Sequence, residues 1–252
     1  MLELNKISVQ FGGIKALNDV SFKVKQNTLF SIIGPNGAGK TSLLNVISGR
    51  YSPKSGKLIY KNVDITDLHP NKRPKLGIGR TFQNLALFDH MTVLENIFIG
   101  RHHMLKTGFT KGSLYWLFGA ENEEIENRKE AERILDFLEI SNIRKSTAGT
   151  LSYGLRKRVE LARAIAIQPE LILLDEPMAG MNQEEKEDMA RFIIDLNREW
   201  NITVVMIEHD MGVVMDISEE IVVLDFGEKI AEGIPSEILK NKRVQQAYLG
   251  ED

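Results

Sequence analysis

The fold of this chain is decided by one stretch of sequence, Gly34-Pro35-Asn36-Gly37-Ala38-Gly39-Lys40-Thr41. It fits G-x-x-x-x-G-K-[ST], the pattern of loops that cradle phosphate groups. An apolar, β-type run at 29–33 precedes it, and the periodic residues 41–47 that follow predict a helix ending at Gly49. Strand, loop and helix stand in the order that the pattern requires, so a glycine-rich turn without a ligand is a poor alternative.

The residue types of this loop suit the binding of phosphates. Glycines let backbone amides turn inward around phosphate oxygens, and the following helix offers unpaired N–H groups and a positive dipole end. We expect Lys40 to reach the outer phosphates and the Thr41 hydroxyl to bind Mg²⁺. The predicted nucleotide-binding residues here are Gly34, Asn36, Gly37, Ala38, Gly39, Lys40, Thr41 and Ser42. The loop by itself does not distinguish a kinase, a GTPase, a motor and a transporter ATPase.

A second motif lies downstream, where an apolar run delivers two carboxylates in Leu171-Ile172-Leu173-Leu174-Asp175-Glu176-Pro177. Ligands gather at the carboxyl ends of parallel strands, which is where this pair would stand. We expect Asp175 to join the Mg²⁺ shell and Glu176 to hold or deprotonate an attacking water. A plain turn after a buried strand is the alternative, but the pair follows the phosphate loop in the expected order.

Composition narrows the class of protein. With 252 residues, 42% hydrophobic and 27% charged, the chain has the balance of a soluble globular protein. A formal charge of -3 without a basic stripe argues against a nucleic-acid partner, and we interpret Lys72, Arg73 and Lys75 as solvated surface. There is no cysteine, so disulfide and thiolate chemistry are excluded. We find no signal peptide and no apolar run long enough to span a membrane, so membrane attachment would be through a partner.

The hydrophobic pattern predicts an α/β protein. Residues 2–33 alternate short β-rich runs with turns, which indicates a small antiparallel sheet feeding a buried strand. The capping-box spacing of Thr92 and Glu95 predicts the start of a helical region. Further predicted elements are a helix at 155–167, a strand–helix–strand unit at 171–174, 183–200 and 202–207, and a terminal hairpin at 221–231 followed by a short helix. The aromatic run at 114–118, around Trp116, is interpreted as part of a helix pair with one solvated face, with a docking surface as the alternative.

Leu151-Ser152-Tyr153-Gly154-Leu155 precedes a predicted helix about 20 residues before the acidic pair. It resembles Leu-Ser-Gly-Gly-Gln, the signature of ATP-binding cassette (ABC) ATPases. The resemblance implies a P-loop NTPase fold, with a RecA-like parallel-sheet core, an N-terminal antiparallel β subdomain and an inserted α-helical subdomain. We therefore predict one domain over 1–252, in which 1–85 and 165–252 form the nucleotide-binding core and 86–164 the helical subdomain with the signature.

The resemblance also implies roles for residues outside the two first motifs. Ser152, Tyr153 and Gly154 would meet the outer phosphate of ATP bound to a second subunit, although a plain helix cap is the default reading of such a turn. Gln83 looks like the loop glutamine that links Mg²⁺ and water to the membrane partner. His209 looks like the switch histidine that contacts the outer phosphate. Phe11 falls where the family places an aromatic against adenine, and a core residue of the β subdomain is the alternative.

Several segments resemble ATPases of branched-chain amino acid importers more closely, namely 79–88, 91–96, 179–182, 207–211 and 246–250. Importers of urea or short amides share several of these segments. The implied partners are a second ABC ATPase subunit, membrane permease subunits and, indirectly, a solute-binding protein, which would place the chain on the cytoplasmic face of the membrane. A soluble ABC switch protein and a small-molecule phosphotransferase are the alternative functions.

Two segments depart from the family pattern. Leu155 stands where the signature has glutamine, and Met178-Ala179-Gly180-Met181-Asn182 replaces the usual Ser-Ala-Leu-Asp loop. Neither change removes a phosphate or metal contact. We expect them to affect communication across the dimer and the rate of hydrolysis, while ATP binding is retained.

Overall fold

A computed structural model describes residues 1–81, 86–102 and 120–249, with side chains described for all of these except 120–123 and 249. The strands in these ranges are β1 Leu2–Phe11, β2 Ile14–Val24, β3 Leu29–Ile33, β4 Ser55–Tyr60, β5 Val63–Asp64, β6 Ile78–Arg80, β7 Leu171–Asp175, β8 Thr203–Ile207, β9 Glu220–Asp225 and β10 Glu228–Gly233. The helices are α1 Lys40–Ile47, α2 Val93–Arg101, α3 Ala120–Phe137, α4 Tyr153–Ile165, α5 Gln183–Arg198, α6 Met211–Ile217, α7 Pro235–Ile238 and α8 Lys242–Leu249.

The N-terminal sheet is antiparallel, with the order β2-β1-β4-β5. In β1, Leu2, Leu4, Ile7 and Val9 face the core, which is the alternation of a half-buried sheet. The sequence predicted its first two strands but missed β4 and β5. These two strands are short. β4 pairs with β1 in a register that places Leu2 opposite Tyr60 and Ser8 opposite Ser55.

The central sheet has the order β10-β9-β3-β8-β7-β6. Neighbouring strands from β9 to β6 are parallel, and β10 is antiparallel to β9. Every residue of β3, β7 and β8 is buried, because both faces of the sheet are covered. β8 lies between β3 and β7, so the loops after these three strands meet at one edge. The predicted α/β architecture is confirmed.

Side chains on alternate faces of the central sheet enter two large apolar clusters. Leu171 and Leu173 join a cluster that includes the N-terminal sheet and α1, whereas Ile172 and Leu174 join one formed with α2, α3, α4 and α5. A smaller cluster joins Ile33 at the end of β3 to Val244 of α8, together with residues of α6 and α7. The edge of the sheet at which the loops after β3, β7 and β8 meet is therefore packed on both faces.

The helical region begins as the sequence predicts. The Thr92 hydroxyl accepts from the Glu95 amide at 3.2 Å, and the Glu95 carboxylate accepts from the Thr92 amide at 2.7 Å, which confirms the capping box. α2 packs on α4, and both contact α3. The boundaries at 85/86 and 164/165 stay a prediction, and the aromatic run around Trp116 lies outside the described residues. None of the helices within the described ranges has the length and hydropathy needed to cross a bilayer.

The interpretation of Lys72, Arg73 and Lys75 as solvated surface is wrong for Arg73. Its side chain is 2% exposed and donates hydrogen bonds to carbonyls at the end of α1 and beside β5. The acceptors are Val46 O at 3.0 Å, Ile65 O at 2.9 Å, and Ile47 O. The last carbonyls of a helix have no partner within the helix, so a cation is favourable there.

Candidate active site

The phosphate loop joins β3 to α1 and is shaped by two glycines that no other residue could replace. Gly34 has φ +146°, and a Cβ there would lie 2.0 Å from the Leu224 carbonyl oxygen. Gly39 is the N-cap of α1 in the left-handed region, at φ +99°, and its Cβ would lie 2.5 Å from Ala16 O. The backbone therefore turns tightly between the β9–β10 hairpin and β2 before the helix begins.

Lys40 is the first residue of α1 and is 9% exposed. Its ammonium donates to the carbonyl oxygens of Gly34 at 2.6 Å and Pro35 at 2.9 Å, so the cation lies inside the loop. Burial lowers the pKa of Lys40, and the nearby carboxylates of Glu176 and Asp175 oppose this shift. The lysine and the acidic pair, which are far apart in sequence, therefore lie within electrostatic range of each other.

The remaining loop residues surround the N-terminus of α1. Asn36 and Gly37 are exposed, Ala38 is buried, and Thr41 and Ser42 in the first turn are half-buried. The first turn contains no acidic side chain to satisfy or neutralise its N–H groups. This end of the helix can therefore bind an anion.

Asp175 is the last residue of β7 and is 1% exposed. Its Oδ2 lies 3.3 Å from Nη2 of Arg80, and its Oδ1 is buried with no hydrogen-bond partner among the residues that the structure describes. Burial raises the pKa of Asp175, while the Arg80 guanidinium opposes the shift. A buried carboxylate oxygen with an open coordination position at the edge of a parallel sheet suits a divalent cation.

Glu176 follows in the left-handed region, at φ +51°, which is unusual for a residue with a side chain. Its amide donates to Ile207 O at 3.0 Å, across the ladder between β7 and β8. Glu176 Oε1 lies 3.9 Å from Nδ1 of His209, and the imidazole is 59% exposed. The structure thus brings the predicted base and the predicted histidine together, with the histidine ring open to a ligand.

Ser152 is the N-cap of α4, and its hydroxyl accepts from the Leu155 amide at 3.5 Å. The plain capping role that the sequence offers for this turn is therefore present in the single chain. Tyr153 is 43% exposed and stands over Gly180, where a Cβ would come 3.1 Å from the ring. Gly154 is buried next to Glu185, and Leu155 packs at the edge of the core.

Asn182, where the family has aspartate, begins α5 with a capping box. Its side chain accepts from the Glu185 amide at 2.9 Å, and Glu185 accepts from the Asn182 amide at 3.1 Å. Asparagine and aspartate are equivalent N-caps, so this departure keeps the local structure. Gly180 likewise leaves room for Tyr153, so the two departing segments fit each other.

Phe11 ends β1 and is 47% exposed, with its ring edge-to-face on Tyr51 at 5.0 Å. It is therefore not a buried core residue of the β subdomain, and its contact with adenine stays a prediction. Gln83 lies outside the described residues, so its predicted role also stays a prediction.

Three further residues support the site, and the sequence did not predict them as site residues. Arg80 pairs with Asp175, Lys157 donates to the Glu176 carbonyl at 3.3 Å, and Glu208 accepts from the Met178 amide at 2.8 Å. A sequence pattern could not have identified them, because each acts through a residue distant along the chain.

With this geometry described, comparison with known proteins decides the family. The family model described as ABC transporter matches residues 17–179, well over half of the chain. This chain belongs to the ABC transporter family. The ATP-binding subunits of that family are ATPases coupled to transport. A second model, described as branched-chain amino acid ATP-binding cassette transporter, matches residues 228–252 of this ABC ATPase.

Relatives align with the whole ABC cassette. The high-affinity branched-chain amino acid transport ATP-binding protein BraF of Pseudomonas aeruginosa is 40% identical over 251 residues, covering 100% of this chain and 98% of the relative. The protein of the same description, LivG, of Escherichia coli K12 is 37% identical over 253 residues, with the same coverage.

Solved ABC cassettes share the fold. A nucleotide-free ATP-binding cassette from an ABC transporter has a TM-score of 0.86 at 35% identity, covering 100% of this chain and 99% of that one. The ADP conformation of a cassette has a TM-score of 0.85 at 35% identity, with the same coverage. The predicted ABC fold and family are confirmed.

Proposed function

We propose that this ABC ATPase energises the import of branched-chain amino acids. The observation that carries the solute class is the match of residues 228–252 to the branched-chain amino acid model. The full-length relatives named as branched-chain amino acid transport proteins support it. Solute choice itself would be made by permease and solute-binding subunits, with which this chain would act on the cytoplasmic face of the membrane.

ATP would bind with its phosphates around the N-terminus of α1. Amides of the phosphate loop and the first turn of α1 would donate to phosphate oxygens, and Lys40 would exchange its two loop carbonyls for the outer phosphates. Phe11 would contact adenine. Ser152, Tyr153 and Gly154 of a second copy or a close paralogue would close the site, so ATP would stabilise the closed dimer by contacts to both halves.

The residues present fit a magnesium ion. Asp175 offers a buried oxygen that has no hydrogen-bond partner within the described part of the chain, and Thr41 supplies a hydroxyl in the first turn of α1. Gln83 is the third residue that would hold the ion. When bound, Mg²⁺ neutralises charge that develops on the transferred phosphoryl group.

Glu176 would position the attacking water and accept its proton. His209 would contact the outer phosphate and, from 3.9 Å, help keep the Glu176 carboxylate in line. The region around Gln83 would pass the movement of the helical subdomain to the permease, and hydrolysis would reset the dimer.

The test of hydrolysis is Glu176→Gln. We expect phosphate release to fall about 10²- to 10⁴-fold, because the amide cannot accept the proton, while ATP affinity in a fluorescent-nucleotide titration changes little. Glu170→Gln is the matched control, since Glu170 is exposed and stands at the opposite end of β7, paired with Lys61. Turnover of the Glu176→Gln variant at the wild-type rate would remove Glu176 from its assigned role.

The solute class is tested by uptake in cells that lack this chain. Uptake of labelled leucine, isoleucine and valine should be lost and should return with the wild-type chain but not with Glu176→Gln. Uptake of urea and of short amides measured in parallel should be unaffected. The reverse pattern would assign the chain to a different importer while leaving the ATPase assignment intact.

A further inference from the structure

Glu208 is a buried carboxylate that the proposed mechanism does not use. It follows β8 directly, precedes His209, and is 1% exposed. Its Oε1 accepts from the Met178 amide at 2.8 Å, and its Oε2 accepts from the His209 amide at 3.2 Å. One side chain therefore binds the backbone on two sides: the turn after β7 and the start of the loop after β8.

The turn that Glu208 holds carries the Glu176 side chain. Glu176 is in the left-handed region at φ +51°, a conformation that is unfavourable for a residue with a Cβ. Such a conformation persists only where neighbouring groups fix it. Here the Glu176 amide donates to Ile207 O, the carbonyl accepts from the buried Lys157 ammonium at 3.3 Å, and Glu208 holds the amide two residues on.

Burying a carboxylate at this position costs free energy unless compensating contacts are made. Burial raises the pKa of Glu208, and the nearby Glu176 charge adds to the shift, whereas the two amide hydrogen bonds oppose it. An apolar side chain would pack there without this cost. Unlike an apolar group, the carboxylate can accept hydrogen bonds from two amides at once, and Glu208 does so.

We propose that Glu208 is a positioning residue that fixes the Glu176 turn and His209 relative to each other. The proposal rests on the roles proposed above for Glu176 and His209. These side chains lie 3.9 Å apart on two different loops, and the Glu208 carboxylate is hydrogen-bonded to the backbone of both loops. Because a misplacement of about 1 Å can cost about 10²-fold in rate, a loss of this bridge should slow the chemical step.

The test is Glu208→Gln in the full-length chain. Glutamine has the same shape but only one acceptor oxygen, so its NH₂ group must face one of the two amide donors. We expect kcat for ATP hydrolysis to fall about 10- to 100-fold, while KM for ATP stays within about twofold, because the phosphate loop is untouched. Glu170→Gln, the same substitution at an exposed end of the sheet, should leave both constants unchanged.

Glu208→Asp serves as the second variant, and it keeps the experiment informative if the glutamine variant does not fold. Aspartate retains the charge, but its side chain is shorter by one methylene group. We therefore expect kcat to lie between the wild-type and Glu208→Gln values. A wild-type kcat in either folded variant, or a raised KM with kcat unchanged, would overturn the proposal. A wild-type chain that does not hydrolyse ATP, or an active Glu176→Gln variant, would instead overturn the proposed function.

Discussion

Three ionisable side chains around the turn after β7 are almost completely removed from water. Lys157 is 3% exposed, and Asp175 and Glu208 are each 1% exposed. Each has a specific partner: the Glu176 carbonyl for Lys157, Arg80 for Asp175, and two amides for Glu208. Because an uncompensated buried charge costs several kcal/mol, we expect the loss of any of these partners to destabilise the turn.

Substitution of Arg73 tests the contribution of one buried residue to stability without changing a residue of the candidate active site. Arg73→Met keeps a flexible side chain of similar reach but removes the donors to Val46, Ile47 and Ile65. We expect the free energy of unfolding, measured by urea denaturation, to fall by about 3 kcal/mol, because a charged donor is lost and carbonyls are left unsatisfied. Lys72→Met at the exposed neighbour should stay within about 0.5 kcal/mol. Equal losses at both positions would contradict the buried role of Arg73.

Among the secondary-structure elements that the structure describes, four helices begin with a side-chain cap, whereas α1 begins at a glycine. Thr92, Ser152, Asn182 and Asp210 accept from backbone amides at the starts of α2, α4, α5 and α6. Two of these helices start in the segments that depart from the family pattern. The departures therefore preserve the local structure.

Asn182 tests this equivalence of caps. Asn182→Ala should lower the free energy of unfolding by about 1 kcal/mol, because the Glu185 amide loses its acceptor, whereas Asn182→Asp should stay close to the wild type. Both values come from urea unfolding at one protein concentration. An aspartate variant as unstable as the alanine variant would show that the capping bond does not account for the stability of this turn.

At the scale of the whole molecule, the order of strands assembles the site. The loops after β3, β7 and β8 carry Lys40, Glu176 and His209, and these strands are neighbours in the sheet. Because β3 pairs with β8 and β8 pairs with β7, all in parallel, the segments that follow these strands converge at one edge of the sheet. Ser152 begins α4, and its proposed contact with the nucleotide of another subunit comes from the resemblance of its segment to the ABC signature.

The whole-molecule prediction is dimerisation that depends on ATP. In the Glu176→Gln background, ATP should convert the monomer to a dimer in light scattering, and adding Ser152→Arg should prevent this while ATP affinity of the monomer changes little. Ser236→Arg, at an exposed position of α7, is the matched control and should leave the dimer intact. A dimer that tolerates Ser152→Arg would remove the signature turn from the proposed interface.

The amino-acid sequence alone predicted the phosphate loop, the acidic pair after β7, the capping box of α2 and the ABC family. Each of these depends on residues close together along the chain, so their spacing alone specifies a conformation or a chemistry. The alternating and continuous apolar runs likewise predicted most strands and the α/β class.

The three-dimensional structure was needed to show that Arg73 is buried, that β4 and β5 complete the first sheet, and that Arg80, Lys157 and Glu208 support the site. Arg80 and Asp175 are 95 positions apart, and Glu208 and Met178 are 30 apart. The sequence around a charged residue does not indicate which distant group will pair with it in the protein interior. That partner is set by strand order and helix packing, which bring distant segments together.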